Sequence, residues 1–208
     1  MQNAEWSGVS GFFAAAWRRV RWPLAIFVAI FVALVIMRIP AVIEQERTAE
    51  TVDRIYAQRL TPEHVDGKHL PPPPDPAQVG ATIEGVDANA NGIRDDVELA
   101  IFEKYPNSPY TRAAELQYAM ALQLYLTEVF NSETWKIAAE QTSRGHGCIS
   151  LTYPRDDLET HLRVVKSRTT EVENWMFNTV ARKEKYDALD EFTTSFGLKN
   201  TNVCDLDS

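Results

Sequence analysis

Trp22 to Met37 (WPLAIFVAIFVALVIM) is sixteen apolar residues without a charge. A run of this kind cannot lie on a water-exposed surface. It must be a buried core helix, a signal sequence or a membrane anchor. Sixteen residues are slightly short for a bilayer, but Arg38 can snorkel and Ile39 to Ile43 lengthens the apolar stretch. Arg18, Arg19 and Arg21 crowd the N-terminal edge, whereas Arg38 alone stands behind the run before Glu44 and Glu46. Three arginines against one edge suit an anchor better than a core helix. The positive-inside rule then predicts residues 1–21 in the cytoplasm, 22–43 in the inner (cytoplasmic) membrane and the rest in the periplasm or an equivalent extracytoplasmic space. A cleaved signal peptide would have the same charged and apolar regions. However, no A-x-A-like site follows, since the chain continues Met37-Arg38-Ile39-Pro40-Ala41. Both readings export the remainder.

The exported part is acidic. The chain carries a net −8. Residues 1–43 contribute +3, from four arginines against Glu5, which leaves −11 for residues 44–208. There is no basic stripe with interleaved aromatics, so nucleic acid is excluded as a partner. An acidic surface tolerates cations.

Hydrophobic periodicity divides the remainder. Glu44 to Leu60 is polar and helix-prone and is expected to continue the membrane helix as a stalk, with Pro40 as a kink site. Residues 61–86 hold Pro71 to Pro74 and Pro76, which predicts an extended polyproline strap or linker. From residue 95 to 208 the pattern is helical, so the fold class is all-α: one transmembrane helix plus an extracytoplasmic helical bundle. Helices are expected from Asp95 or Asp96 to Tyr105, from Thr111 to Phe130 as the central element, and from Ser132 to Thr142, broken by Gly145-His146-Gly147-Cys148. A long helix after Pro154 carries Leu158, Leu162, Val165, Thr169, Val172, Met176 and Thr179 as its packed face. A last helix carries Tyr186, Leu189, Phe192 and Phe196 and stops at Gly197.

The residues with the most specific chemistry lie between strap and bundle. Asp87-Ala-Asn89-Ala-Asn91-Gly92-Ile93-Arg94-Asp95-Asp96-Val97-Glu98 fits D-x-[DN]-x-[DN]-G-x5-E at every specified position. Calcium needs six to eight oxygens in a flexible arrangement. Asp87, Asn89 and Asn91 offer side-chain oxygens on alternate residues, and Gly92 permits the sharp turn. Ile93 offers its carbonyl, Asp95 binds directly or through water, and Glu98 supplies two oxygens from the next helix. On these residues the chain resembles an EF-hand loop. Arg94 stands where paired EF-hands place an aliphatic residue, and the lead-in is rich in Pro and Gly rather than helical. The resemblance is therefore to a solitary loop, as in thrombospondin type 3 modules and in exported, membrane-anchored proteins of Gram-negative bacteria. It implies Ca²⁺ as cofactor and no particular activity. The simpler explanation is an Asn91-Gly92 turn and a helix cap, with Asp95 at the N-cap and Glu98 reaching back. That explanation leaves Asp87 and Asn89 without a role.

Cys148 and Cys204 are the two cysteines and are expected to form a disulfide in an oxidising compartment, two free thiols being the alternative. His146-x-Cys148 lacks the further ligands of a zinc site. Asp156, Asp157, Glu159 and His161 are explained as well by helix capping as by acid/base chemistry, and no hydrolase, phosphate-loop or dinucleotide motif occurs. The sequence thus predicts a membrane-anchored, calcium-binding helical protein with a structural or interaction role and an envelope protein as partner. The alternatives are an exported envelope hydrolase with a structural calcium and a helical scaffold subunit without calcium.

Overall fold

The computed structural model describes residues 6–198 and 202–206. Residues 1–5 of the expected cytoplasmic segment, and the side chains of Arg18 and Arg19, lie outside the described residues. All regular structure among the described residues is helical. The chain divides into two compact units, Met1–Arg47 and Thr48–Ser208.

The first unit is the N-terminal part of α1, Trp6–Ala57, whose helix continues through Pro23 and Pro40. From Val20 on, it is long and apolar enough to cross a membrane, and its apolar side chains (Leu24, Phe27, Phe31, Leu34, Ile36) are all exposed. A core helix of a water-soluble domain would bury such residues.

The second unit starts earlier than the sequence suggested. The segment expected as a free stalk buries Thr51, Ile55 and Leu60, and Asn131 Nδ2 donates to Thr48 Oγ1 at 2.8 Å. The strap belongs to this unit as well. It holds two one-turn helices, α2 (Pro62–Val65) and α3 (Pro76–Val79), each opened by a proline at its first position, where no N–H is needed. Between them Pro71 to Asp75 has no regular structure. An irregular segment leaves its carbonyls without ladder partners. Buried side chains supply the donors: Arg112 to Val65, Gln123 to Glu84, and Arg182 to Val79, Thr82 and Ile83.

The bundle is built on α5 (Pro109–Thr127), buried from Ala114 to Leu126 as its near-continuous apolar pattern demands. It packs on α4 (Asp95–Lys104), α6 (Ser132–Leu151) and α7 (Leu158–Met176). The break expected at Gly145 does not occur. A Cβ at Gly145 would stand 2.8 Å from Tyr118 Cα, and one at Gly147 would stand 3.2 Å from Val203 Cγ1. Both glycines let neighbours approach a continuous helix, and the roughly 1 kcal/mol propensity cost of each is small against that packing. Cys148 therefore lies on α6, where it is bonded to Cys204 with Cα atoms 5.0 Å apart.

The packed face expected on α7 holds at Val165, Thr169, Val172 and Met176, all buried, but Leu158 and Leu162 are exposed. His161 takes their place in the interior, its ring hydrogen-bonded to Ser150 Oγ and to the Pro154 carbonyl, each at 3.0 Å. This also removes His161 from any acid/base group with the exposed Asp156, Asp157 and Glu159. Asp157 is the N-cap of α7, and Thr179 is the N-cap of α8 (Val180–Asp187). The last helix starts before Tyr186 and ends in a 3-10 turn at Ala188–Phe192, so Phe196 and Gly197 lie beyond it.

Candidate metal centre

The segment Asp87 to Glu98 joins the strap to α4. Its backbone curls through two left-handed residues, Ala90 (φ +55°) and Gly92 (φ +81°). Asp87 holds the curl. Its Oδ1 accepts from Asn91 N at 3.1 Å and its Oδ2 from Gly92 N at 2.8 Å. Asn91 Oδ1 accepts from Ile93 N at 2.8 Å, and Asp95 Oδ1 accepts from Ala88 N at 3.0 Å. Side-chain-to-backbone bonds of this type are what Asp and Asn make in turns. They give Asp87 a role that a plain turn-and-cap explanation lacked.

α4 begins at Asp95, and the residue in the N-cap position is Arg94, whose side chain makes no cap. Asp95 and Glu98 therefore stand in the first turn, and both are 1% exposed. Glu98 Oε2 accepts from Asn89 Nδ2 at 3.2 Å, and the same amide donates to the His69 carbonyl at 3.3 Å. Asp95 Oδ2 is buried without a hydrogen-bond partner. Ile93 packs its side chain wholly inside the core.

Burial dominates the electrostatics. It pushes the Glu98 carboxyl up to about 7, against the pull of the Asn89 and Asn91 amides, and the charges of Asp95 and Asp87 push it the same way. Asp95 is also raised, first by burial, with Asp87 and Asp96 adding and the Ala88 N–H opposing. Three carboxylates thus sense one another. A cleft of about 190 Å³ beside them is lined by Glu63, His64, His69, Asn89, Asn91 and Glu98.

Of the six residues that the pattern singles out, Asn89, Asn91 and Glu98 share this cleft, while Asp87 and Asp95 brace the loop backbone. Among the described residues, no group of three or more His, Cys, Asp or Glu stands close enough to hold a metal ion. The donor set nevertheless suits a hard cation. A carboxylate has about four lone-pair sites, so Asp87 keeps capacity beyond its two N–H partners. Asp95 Oδ2 is an acceptor without a donor.

Two buried arginines hold this region, a role that no local pattern announces. Arg94 and Arg182 are both 0% exposed. Arg94 forms a bidentate pair with Asp96 (2.6 and 3.0 Å) and donates to the carbonyls of Trp175 and Met176 at 2.6 and 3.0 Å. Gly85 lies against the Arg94 stem and the Arg182 guanidinium: at its φ of +75° a Cβ would fall 2.1 Å from Arg94 Cδ. His64 and His69, far from Glu98 in the chain, are brought to the same cleft by the fold. The chain matches no protein-family model, no curated protein and no solved structure.

Proposed function

We propose that this chain is a single-pass protein of the cytoplasmic membrane, with residues 22–43 in the lipid bilayer, its N-terminus inside and a helical, calcium-binding unit outside. Arg18, Arg19 and Arg21 before the apolar span support the orientation. Calcium serves a structural role, fastening the strap to α4, and the bundle surface serves an envelope protein partner.

The observation that carries the calcium reading is a charge imbalance on a loop of calcium-binding spacing. Asp95 and Glu98 are buried in the field of Asp87, and the arginine nearest to them, Arg94, is spent on Asp96 and two carbonyls. Burying carboxylates without a counter-charge is costly, and a cation supplied by the compartment relieves it. Asp87, Asn89, Asn91, Asp95 and Glu98 would hold it, with the Ile93 carbonyl. The Asn89 amide would turn to give its oxygen in place of its Nδ2. Three carboxylates and a lone loop suit an affinity between about micromolar and millimolar, fitting a compartment rich in calcium.

An interaction role is supported by an apolar cleft on the second unit. It measures about 670 Å³ beside α2 and α5, with Pro62, Val65, Tyr110 and Leu206 in its walls next to Asp66. Arg112 and Gln117, which reach it, are already committed to backbone groups.

Calorimetric titration of calcium into the protein tests the reading. Saturable binding that vanishes in Asp87→Ala and in Glu98→Ala is expected, with a melting temperature that rises in calcium. Identical melting curves in chelator and in millimolar calcium would sink it.

A further inference from the structure

Arg94 is a full positive charge, wholly buried, one residue from Asp95 and four from Glu98. If it acted on a cation site through charge alone, it would weaken that site. Its contacts say what else it does. The guanidinium reaches across to the last carbonyls of α7, where the helix leaves its C=O groups unpaired and its dipole is negative. Asp96, the second residue of α4, grips the same guanidinium from the other side. The N-terminus of α4 is thereby suspended from the C-terminus of α7. The second guanidinium repeats the device. Arg182, in the first turn of α8, holds the carbonyls of Val79, Thr82 and Ile83 and the Asn178 side chain. Gly85 is pressed between the two arginines, and Asp87 follows two residues later. Both ends of the loop are tied to the junction between α7 and α8.

We propose that Arg94 is the positioning residue of the cation loop, setting Asp95 and Glu98 against Asp87 by hanging α4 from the α7 terminus, so that cation binding and order at the α7–α8 junction are linked. This rests on the calcium reading above. Linkage is reciprocal: whatever the junction contributes to binding, binding returns to the junction. The slack in the system is the Asn89 amide and the uncommitted Asp95 Oδ2, both on the loop side. The bonds on the Arg94 side are short and complete.

The sign of one substitution separates positioning from charge. Arg94→Met keeps length and removes the positive charge. A purely electrostatic Arg94 predicts tighter calcium binding in this variant; a positioning Arg94 predicts binding weaker by about tenfold, within the range typical of site coupling. The test is calcium titration of the full chain in lipid nanodiscs by calorimetry, with hydrogen exchange at residues 173–183 with and without calcium. In the wild type, calcium is expected to slow exchange there at least severalfold, and in Arg94→Met that slowing is lost. Should Arg94→Met fail to fold, Arg94→Lys decides. It keeps the charge but loses the fork that spans two carbonyls and Asp96, and it too should bind calcium several times more weakly. Equal or tighter binding in the folded variant overturns the proposal. Calcium heat in the wild type with unchanged exchange at 173–183 overturns the linkage alone, and absence of calcium heat overturns the calcium reading and this one together.

Discussion

Two irregular segments are fastened to the bundle by buried carboxylates, and they are fastened differently. At the C-terminal tail, Asp205 brings its own counter-charges. Its carboxylate accepts from Arg144 at 2.7 Å, from Arg59 at 3.2 Å and from Leu60 N at 3.1 Å. Its backbone N–H donates to Gln117, which in turn holds the Val203 carbonyl. The neighbouring Cys204 is bonded to α6. Both arginines of that clamp also donate to Gln141 Oε1, so the Asp205 charge is met entirely from within the chain. At the Asp87–Glu98 loop, Asp95 and Glu98 are buried as deeply, yet amides and backbone N–H groups are their partners and one oxygen has none. The tail is closed by the chain itself. On the calcium reading proposed above, a cation from outside would balance the loop, making one clamp permanent and the other dependent on the compartment.

The hardest way to break this comparison is to disarm the permanent clamp. Asp205→Ala would leave Arg144, 3% exposed, without its carboxylate. Breaking a buried pair from one side costs roughly 3–5 kcal/mol. We expect the largest loss of stability here, seen as a fall in denaturation midpoint that is the same in calcium and in chelator. A calcium-dependent loss would mean that the two clamps are not independent. Next comes Cys148→Ser. The disulfide closes a separation of 56 residues, and opening it is expected to cost about 2–4 kcal/mol, again without regard to calcium.

The third prediction concerns the loop, and its sign is opposite. The folded Glu98 carboxyl is raised to about 7 from an ordinary 4.5. The folded state therefore favours the proton. The destabilisation is absent below about pH 4.5, grows through pH 7 and is complete above it. In chelator the protein should melt several degrees lower at pH 8 than at pH 5.5. Glu98→Gln should flatten this pH dependence and raise the melting temperature at pH 8, while Asp205→Ala lowers it. Calcium should rescue the wild type at pH 8 and leave Glu98→Gln unchanged. A wild type that melts higher at pH 8 than at pH 5.5 in chelator would remove the imbalance on which the comparison depends.

The sequence exposed these two clamps unequally, and for physical reasons. The curl of the loop was legible because Asp87, Asn91 and Asp95 bond backbone N–H groups only two to seven residues away, so Asp87 to Glu98 can be picked out from neighbours alone. The disulfide was legible because two cysteines allow one pairing. The apolar helix was legible because its pattern is local. Asp205 was not, since its partners Arg59 and Arg144 lie 146 and 61 residues away. Nor were the roles of Arg94 and Arg182, for the same reason: only tertiary structure brings the carbonyls of 175–176 and 79–83 to them. Gly145 illustrates the converse error: a local breaker signal yields when a neighbouring helix needs the space that a missing Cβ provides. His161 displaced Leu158 and Leu162 from the interior because two specific acceptor and donor groups, Ser150 and Pro154, were waiting for it.

The smallest effect sharpens the comparison most finely. Among the described residues, Ala90 is the one non-glycine residue with positive φ, and it lies within the loop, whereas the tail has none. An L-residue in the left-handed region is strained by about 1–2 kcal/mol. Glycine removes that strain but loses about 0.5–1 kcal/mol of chain entropy on folding. Ala90→Gly should therefore stabilise the protein in chelator by only about 0.5–1 kcal/mol, or roughly 2–3 °C for a unit of this size. What matters is its effect on calcium. If the curl is the same with and without the ion, the strain cancels between the two states and the affinity should stay within about twofold of the wild type. If calcium binds severalfold more tightly to Ala90→Gly while chelator stability is unchanged, the strained curl belongs to the cation-bound loop alone. The loop would then be less formed without its ion than the Asp87 bonds to Asn91 and Gly92 imply.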